Sequence, residues 1–217
     1  MAKRHHARAA LLALLTILVL AGPAISEVTA FGKFKRVLIV ILENTSFETA
    51  RKQPFLSTLS ERGAVLTNFT AVARPSQPNY IALISGSTFD VNSNRNFDLK
   101  GRHIGDLLEA KGQQWKVYAE AYPGKCYLGA RHGTYVRKHV PFLSFTNVQQ
   151  DPARCARIVD SAQLQADIEE GSLPDYALYI PDLNMTGTIR TLATRIDGCR
   201  ASLAHCLKIR DSPEAFF

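Results

Sequence analysis

The chain is 217 residues long, and 46% of its residues are hydrophobic and 21% are charged. These proportions are typical of a globular protein and exclude a collagen, a coiled coil or a wholly disordered chain. The chain has 26 Lys and Arg residues against 19 Asp and Glu residues, a formal net charge of +7. Because the basic residues are scattered along the chain, we expect no nucleic-acid partner.

The amino terminus has the organisation of a signal peptide. A basic start is followed by an apolar run at 9–22, which is too short to span a bilayer comfortably. Small residues then mark two cleavage sites, after Ser26 and after Ala30. We expect residues 1–30 to direct export, so that the mature protein is secreted or periplasmic and has no membrane span. An uncleaved N-terminal anchor is the alternative.

Alternating apolar runs and amphipathic segments predict an α/β domain. Residues 37–42 form a continuous apolar run, as a strand buried on both faces of a parallel sheet does. Strands are predicted at 37–42, 64–69, 115–118 and 176–180, and helices at 54–62, 78–85, 104–110 and 161–170. This order predicts a three-layer α/β/α fold with a mostly parallel sheet over residues 31–184.

An exported protein is expected to form disulfides from its four cysteines, Cys126, Cys155, Cys199 and Cys206. Three full pairings are possible, and sequence alone does not separate them. We favour a bridge between Cys126 and Cys155 because both lie in one stretch rich in loop residues. Free thiols are the alternative.

Ligands of parallel α/β sheets bind beyond the carboxyl ends of the strands. Glu43 and Asn44 follow the first predicted strand and offer oxygen ligands for a divalent cation. A solvated turn that caps the next helix is the alternative. Ser76 lies between two prolines, directly before a predicted helix, whose N-terminus would stabilise a bound phosphate. The alternative for Ser76 is an ordinary helix-capping serine.

Three further polar side chains are candidates for phosphate binding. Asn79 lies in the first turn of the predicted helix, where it could donate to a phosphate oxygen, or it is a surface residue. Lys138 and His139 offer a cation and an imidazole, although a charged loop is the alternative. The chain has no Walker loop, GxSxG elbow or HExxH motif, which argues against a nucleotide triphosphatase, an α/β-hydrolase esterase and a zincin.

Four segments in order resemble the bacterial phosphoesterase family of the alkaline phosphatase superfamily. They are VLIVILENTSFET, PFLSTLSERGAVLTNFTAVARPSQPNYIALISGST, YVRKHVPFLSFTNVQQDPARC and LPDYALYIPDLN, within residues 34–184. That family includes secreted acid phosphatases and phospholipases C. The similarity is greater to the acid phosphatases, including the type that dephosphorylates phosphatidylinositol 3-phosphate. The resemblance implies an alkaline-phosphatase-like core that is incomplete at the C-terminus.

The resemblance also implies roles for individual residues. Glu43 and Asn44 would bind the active-site metal, and Ser76 would be the nucleophile that forms a phosphoseryl intermediate. Asn79, Lys138 and His139 would line the phosphate pocket. Where the family usually has a histidine before the Pro-Ser pair, this chain has Arg74, which retains a cation near the phosphate.

The tail at 185–217 departs from the family pattern. Family members continue with an Asp-x-His-Asp segment and an Ala-Asp-x-Trp-Leu helix, and neither is present here. If the gene is read from the last base of the Met185 codon, the first triplet must encode Asp. The following triplets encode the rest of that family segment for some choices of synonymous codons. We therefore expect 185–217 to be an aberrant, out-of-frame tail. The domain would then lack metal ligands and leave a sheet edge exposed, and the chain would hydrolyse phosphomonoesters poorly or not at all.

Three functions are thus open. The first is a secreted, metal-dependent phosphomonoesterase, acting on a phosphate ester substrate. The second is a phosphodiesterase of the phospholipase C type. The third is a non-catalytic remnant that binds phosphate or anionic lipid through Arg74, Lys138 and His139.

Overall fold

A computed structural model describes residues 35–42 and 45–184. Helices and short strands alternate along this part of the chain. In chain order the elements are β1 (Val37–Val40), α1 (Phe47–Arg51), α2 (Pro54–Arg62), α3 (Ser76–Ser85), α4 (Ile104–Glu109), β2 (Trp115–Ala119), β3 (Arg131–His132), β4 (Tyr135–Val136), α5 (Thr146–Gln149), α6 (Pro152–Cys155), β5 (Ile158–Asp160), α7 (Gln163–Glu169) and β6 (Tyr176–Ile180). Two 3₁₀ turns, Arg137–His139 and Pro141–Ser144, follow β4.

The main sheet has the strand order β1-β6-β2-β5, and all of its pairs are parallel. The predicted α/β fold with a mostly parallel sheet is therefore confirmed. Strands β3 and β4 form a separate antiparallel pair. Strand β6 lies in the middle, with Leu178 paired to Ile39 on one side and to Val117 on the other. Among the described residues, no helix is long and apolar enough to cross a membrane.

The hydrophobic core lies around β2 and β6. Every residue of β6 is buried, as a strand with neighbours on both edges and both faces should be. Helix α3 contributes Ile81 and Ile84 to this core, and the ring of Trp115 stacks on Phe142 at 4.3 Å between centroids. Helix α3 is therefore anchored to the sheet by its apolar face, which fixes the position of its first turn.

The bridge between Cys126 and Cys155 is confirmed, with 5.3 Å between the two Cα atoms. It closes a loop with a sequence separation of 29 residues. A bridge over that length stabilises a fold by about 3 to 4 kcal/mol in the chain-entropy model. The closed loop contains β3, β4 and both 3₁₀ turns, which are too short to be stable alone.

The predicted strand at 64–69 is wrong. These residues are exposed and belong to no sheet, and 80% of the Phe69 side-chain surface is accessible. A strand needs a hydrogen-bonded neighbour, and among the described residues β1 pairs with β6 alone. Apolar composition therefore favours a strand at 64–69, but no pairing partner is present to form one.

The exposed apolar side chains are concentrated in the first part of the described chain. Eight of the eleven exposed large hydrophobic side chains of the described residues lie between residues 37 and 72. They are Val37, Leu38, Phe47, Leu59, Val65, Leu66, Phe69 and Val72. Unpaired strand edges with apolar side chains are sites of self-association.

We predict that Leu38→Lys reduces concentration-dependent association of the protein. Leu38 is 42% exposed on β1, and a lysine on an edge strand opposes pairing with a second strand. Light scattering over a concentration series measures the effect. The control is Leu107→Lys on α4, which is 50% exposed and distant in sequence from the edge. Equal association of the two variants and the wild type would contradict the prediction.

Candidate active site

Two carboxylates lie at the carboxyl edge of the sheet, directly after β2 and β6. Glu120 accepts hydrogen bonds from the hydroxyl of Tyr179 and from the backbone N–H of Asp182 at 3.1 Å. Asp182 in turn accepts from the hydroxyl of Thr134 at 2.5 Å and from the N–H of Asn184 at 2.9 Å. Internal hydrogen bonds therefore engage both carboxylates, and they hold the ends of the two central strands together.

The same contacts connect the sheet edge to the segment that carries Lys138 and His139. Besides its side-chain bond, Thr134 accepts the backbone N–H of Leu183 at 3.1 Å, so the turn before β4 is attached to the residues after β6. The first 3₁₀ turn follows β4 directly. The residues at 137–139 are thereby brought towards the carboxyl edge, where ligands of parallel sheets bind.

His139 connects this segment to helix α3. It is 3% exposed, and its ring stacks on Tyr80 with 4.9 Å between the centroids and 16° between the planes. Tyr80 follows Ser76 by four residues in the same helix, so the two side chains lie on one helix face, one turn apart. His139 therefore packs against the helix that begins with Ser76, on a residue one turn further along it.

Ser76 is the first residue of α3, two positions earlier than the predicted helix start. Its side chain does not cap the helix, because Pro75 is the N-cap residue. The hydroxyl of the half-buried Ser76 has no hydrogen-bond partner among the described residues. Prolines at 75 and 78 lack N–H groups, and the N–H of Gln77 donates to Asn94 at 3.1 Å. The serine oxygen therefore lies near the positive end of a helix dipole.

Two cations near the helix start have no ion-pair partner in the part of the chain that the structure describes. Arg74 is exposed in the loop before Ser76, and Lys138 is half-buried beside His139. Both remain available for an anionic ligand.

Arg137 is different, although it is adjacent to Lys138. It is 4% exposed, and its guanidinium donates to the carbonyl oxygens of Phe97, Leu128 and Leu143 at 2.8–3.2 Å. It also donates to Asp98 at 2.7 Å, and this bond lowers the pKa of that carboxyl. Arg137 therefore serves to hold the loop, and only Lys138 of the pair is available to a ligand.

Asn79 forms hydrogen bonds with the loop before Ser76. Its Oδ1 accepts the backbone N–H groups of Val72 and Ala73 at 2.9 and 3.0 Å. Its Nδ2 donates to the carbonyl oxygens of Ala73, Pro75 and Ser76 at 2.8, 3.0 and 3.3 Å. Both functional groups of the amide are therefore engaged by the backbone of the loop.

The expected metal ligands Glu43 and Asn44 lie outside the described residues, as do residues 1–30 and the tail at 185–217. Among the described residues, no group of three His, Cys, Asp or Glu side chains is arranged to hold a metal ion. Glu120 and Asp182 lie at the carboxyl edge of the sheet, and hydrogen bonds within the protein engage both of their carboxylates.

Sequence reasoning missed the parts played by Tyr80, Asn94 and Thr134. The spacing of four residues between Ser76 and Tyr80 places both on one helix face, and this signal was present in the sequence. Asn94 and Thr134 are separated by many residues from the groups that they contact, and no local pattern indicates such contacts.

Comparison with known proteins identifies the relatives of this arrangement. The model of the Phosphoesterase family matches residues 49–187, which is more than half of the chain. The chain belongs to this family. A probable acid phosphatase of Kluyveromyces lactis is 35% identical over 168 residues. A phosphate-repressible acid phosphatase of Penicillium chrysogenum is 34% identical over 157 residues, and a phosphatidylinositol-3-phosphatase of Mycobacterium tuberculosis is 34% identical over 125 residues.

These matches cover 73%, 69% and 55% of this phosphoesterase chain, respectively. They cover only 40%, 38% and 42% of the three relatives. The chain therefore spans about two fifths of the length of the curated relatives that it matches. The range that the family model matches includes β2, β5 and β6, the Ser76 helix and the segment with Lys138 and His139.

We predict effects of different size on stability at two adjacent basic residues. Arg137→Lys should lower the free energy of unfolding by about 2 kcal/mol or more, because lysine leaves several buried carbonyl oxygens without donors. Lys138→Ala should change it by about 0.5 kcal/mol or less, because Lys138 has no ion-pair or hydrogen-bond partner among the described residues. Urea unfolding followed by circular dichroism measures both variants. Similar losses in the two would contradict the different environments of these side chains.

Proposed function

We propose that the protein is a phosphomonoesterase that uses Ser76 as its nucleophile. The observation that carries this proposal is the hydroxyl of Ser76, which has no partner among the described residues and lies at the start of α3. The stacking of His139 on Tyr80, one turn away, supports a site at that position. Membership of the Phosphoesterase family and similarity to acid phosphatases agree with this chemistry.

Electrostatic attraction brings the substrate to the nucleophile. Arg74 and Lys138 attract the phosphate dianion, and the dipole of α3 stabilises its negative charge. His139 is held beside the helix by Tyr80, at the proposed phosphate pocket. A residue fixed by stacking loses little further freedom when the substrate binds, so its contribution to orientation is already present in the free protein.

The reaction would proceed through two displacements at phosphorus. The Ser76 oxygen loses its proton and forms a bond to phosphorus, while the bond to the leaving alcohol breaks and that oxygen takes a proton. Water then attacks the phosphoserine, releasing inorganic phosphate and restoring the hydroxyl. The positive charges at the pocket stabilise the oxygens of the transferring phosphoryl group in both steps.

We propose that a divalent cation assists this reaction, with Glu43 and Asn44 among its ligands. The support is the position of these two residues after β1 and the resemblance of their motif to that of metal-dependent phosphoesterases. Carboxylate and amide oxygens suit a hard cation, which would stabilise the attacking and leaving oxygens. We also propose that residues 1–30 direct export to a secreted or periplasmic location.

We predict that Ser76→Ala abolishes hydrolysis of a fluorogenic phosphomonoester, because alanine has no oxygen to attack phosphorus. Hydrolysis is measured with and without added divalent cations, and EDTA is expected to reduce it. Ser85→Ala, at the other end of the same helix, is the control and should retain the wild-type rate. Acid quench with labelled substrate should trap phosphoserine in the wild type only. Undiminished turnover by Ser76→Ala would remove the serine from the mechanism.

The tail at 185–217 remains, in our proposal, an out-of-frame segment that slows turnover by withholding acidic ligands. Sequencing the gene through codon 185 and beyond codon 217 tests this directly. A chain with the restored frame should hydrolyse phosphomonoesters faster than the 217-residue chain. Equal rates, or a gene without a second frame that continues the family pattern, would contradict the proposal.

The second candidate function is binding of a phosphate group without hydrolysis. It is favoured by the charges of Arg74 and Lys138, which have no ion-pair partner among the described residues. A protein of this kind would bind inorganic phosphate in calorimetry but release no product from a phosphomonoester. Phosphodiester hydrolysis in the same assay would instead support the phospholipase C alternative.

A further inference from the structure

The backbone that leads into Ser76 needs support from outside itself. Residues 69–75 contain no helix or strand, and Val72 is 70% exposed. Backbone N–H and C=O groups in such a segment have no regular ladder to join, so a short loop of this kind is mobile unless side chains bind it. A nucleophile at the first residue of a helix, directly after a mobile loop, would lose much of its effective concentration against the substrate.

A single side chain supplies the missing bonds. Asn79 connects to five backbone groups of residues 72–76, accepting two N–H groups and donating to three carbonyl oxygens at 2.8–3.3 Å. Asn79 is itself fixed in the first turn of α3, whose apolar face is anchored in the core. The amide thereby fastens the entering loop to the same helix that begins with Ser76.

The chemistry of these contacts requires an asparagine. The Oδ1 atom faces N–H donors, and the Nδ2 atom faces carbonyl oxygens. Aspartate would keep the first set of bonds but would place a negative oxygen against three carbonyl groups. Alanine would lose both sets. Since both functional groups of the amide are engaged, the residue acts on the backbone, and direct donation to a phosphate would need these bonds to break.

We propose that Asn79 is a positioning residue for catalysis, holding residues 72–76 in the conformation that presents the Ser76 hydroxyl. The proposal rests on the proposed nucleophilic role of Ser76. By holding the loop, Asn79 would increase the rate of phosphoryl transfer to Ser76. The affinity for the substrate phosphate, in contrast, would depend on Arg74 and Lys138.

The first test does not require activity. Solvent exchange of the backbone amides of Val72 and Ala73, measured by NMR in the full chain, should be slow for residues so near the surface. Asn79→Ala should accelerate both by on the order of tenfold. Asn79→Asp, which retains the acceptor oxygen, should leave both amides protected. Fast exchange of the two amides in the wild type would overturn the proposal.

The second test separates kcat from KM for a fluorogenic phosphomonoester. Asn79→Ala and Asn79→Asp should each lower kcat by about 100-fold, the cost of misplacing a reacting group by about 1 Å, with little change in KM. The control is Asn147→Ala. Asn147 is also half-buried and has three side-chain hydrogen bonds, to His103 and Asp106, and it lies outside the site. That variant loses a comparable set of bonds and should retain the wild-type kcat.

The outcomes are distinct. A wild-type kcat in Asn79→Asp would overturn the positioning role even if Asn79→Ala fails to fold, and so would an equal loss in Asn147→Ala. A rise in KM with unchanged kcat would overturn it in favour of direct phosphate binding by Asn79. An inactive wild type with protected amides would refute hydrolysis by the 217-residue chain, while the exchange of Asn79→Ala would still decide whether Asn79 holds the loop.

Discussion

The architecture depends on the pairing of β6 with β1 and β2. Strand β1 carries the predicted metal ligands at its end, yet among the described residues its only sheet partner is β6, which follows more than 130 residues later. The ladder includes the bonds from Val37 N to Asp175 O at 2.8 Å and from Ile41 N to Tyr179 O at 3.2 Å. At the carboxyl edge, Glu120 is held by Tyr179 of this central strand and by Asp182, which follows it.

The arrangement of charge around the serine follows a consistent physical pattern. Buried ionic groups such as Arg137 are fully engaged by hydrogen bonds, as the cost of burying an unpaired charge demands. The cations near the helix start, Arg74 and Lys138, are at least partly accessible to water and have no carboxylate partner among the described residues. Retaining unpaired positive charge beside an anion-stabilising helix end favours a ligand with negative charge.

Much of the fold follows from local sequence patterns. Continuous apolar runs identify β1 and β6, and prolines and glycines mark the limits of α2 and α3. The prediction that the first strand is buried on both faces is wrong, because Val37 and Leu38 of β1 are 41% and 42% exposed. The segment at 64–69 has the same apolar character and forms no strand. Strand formation there depends on a partner, and pairing is a property of the assembled sheet that a local window does not contain.

The candidate site also contains some residues that local sequence identifies and others that depend on the folded chain. Local sequence identifies Ser76, because a serine between two prolines and before an apolar segment predicts the start of a helix. The stacking of His139 on Tyr80, and the bond from Gln77 to Asn94, arise from distant segments that meet only in the folded chain. Asn79 is near Ser76 in sequence, yet its bonds to the loop backbone depend on the conformation of that loop and not on residue type alone.

The bridge between Cys126 and Cys155 has a consequence for the continuity of the chain. Arg131 and His132 of β3 are exposed, and they lie inside the covalent ring that this bridge closes. A protease that cuts beside Arg131 would leave two fragments joined through sulfur, and they would separate only after reduction. Lys138 and His139 lie within the same ring. Such a nick would therefore leave their segment covalently tied to the rest of the protein.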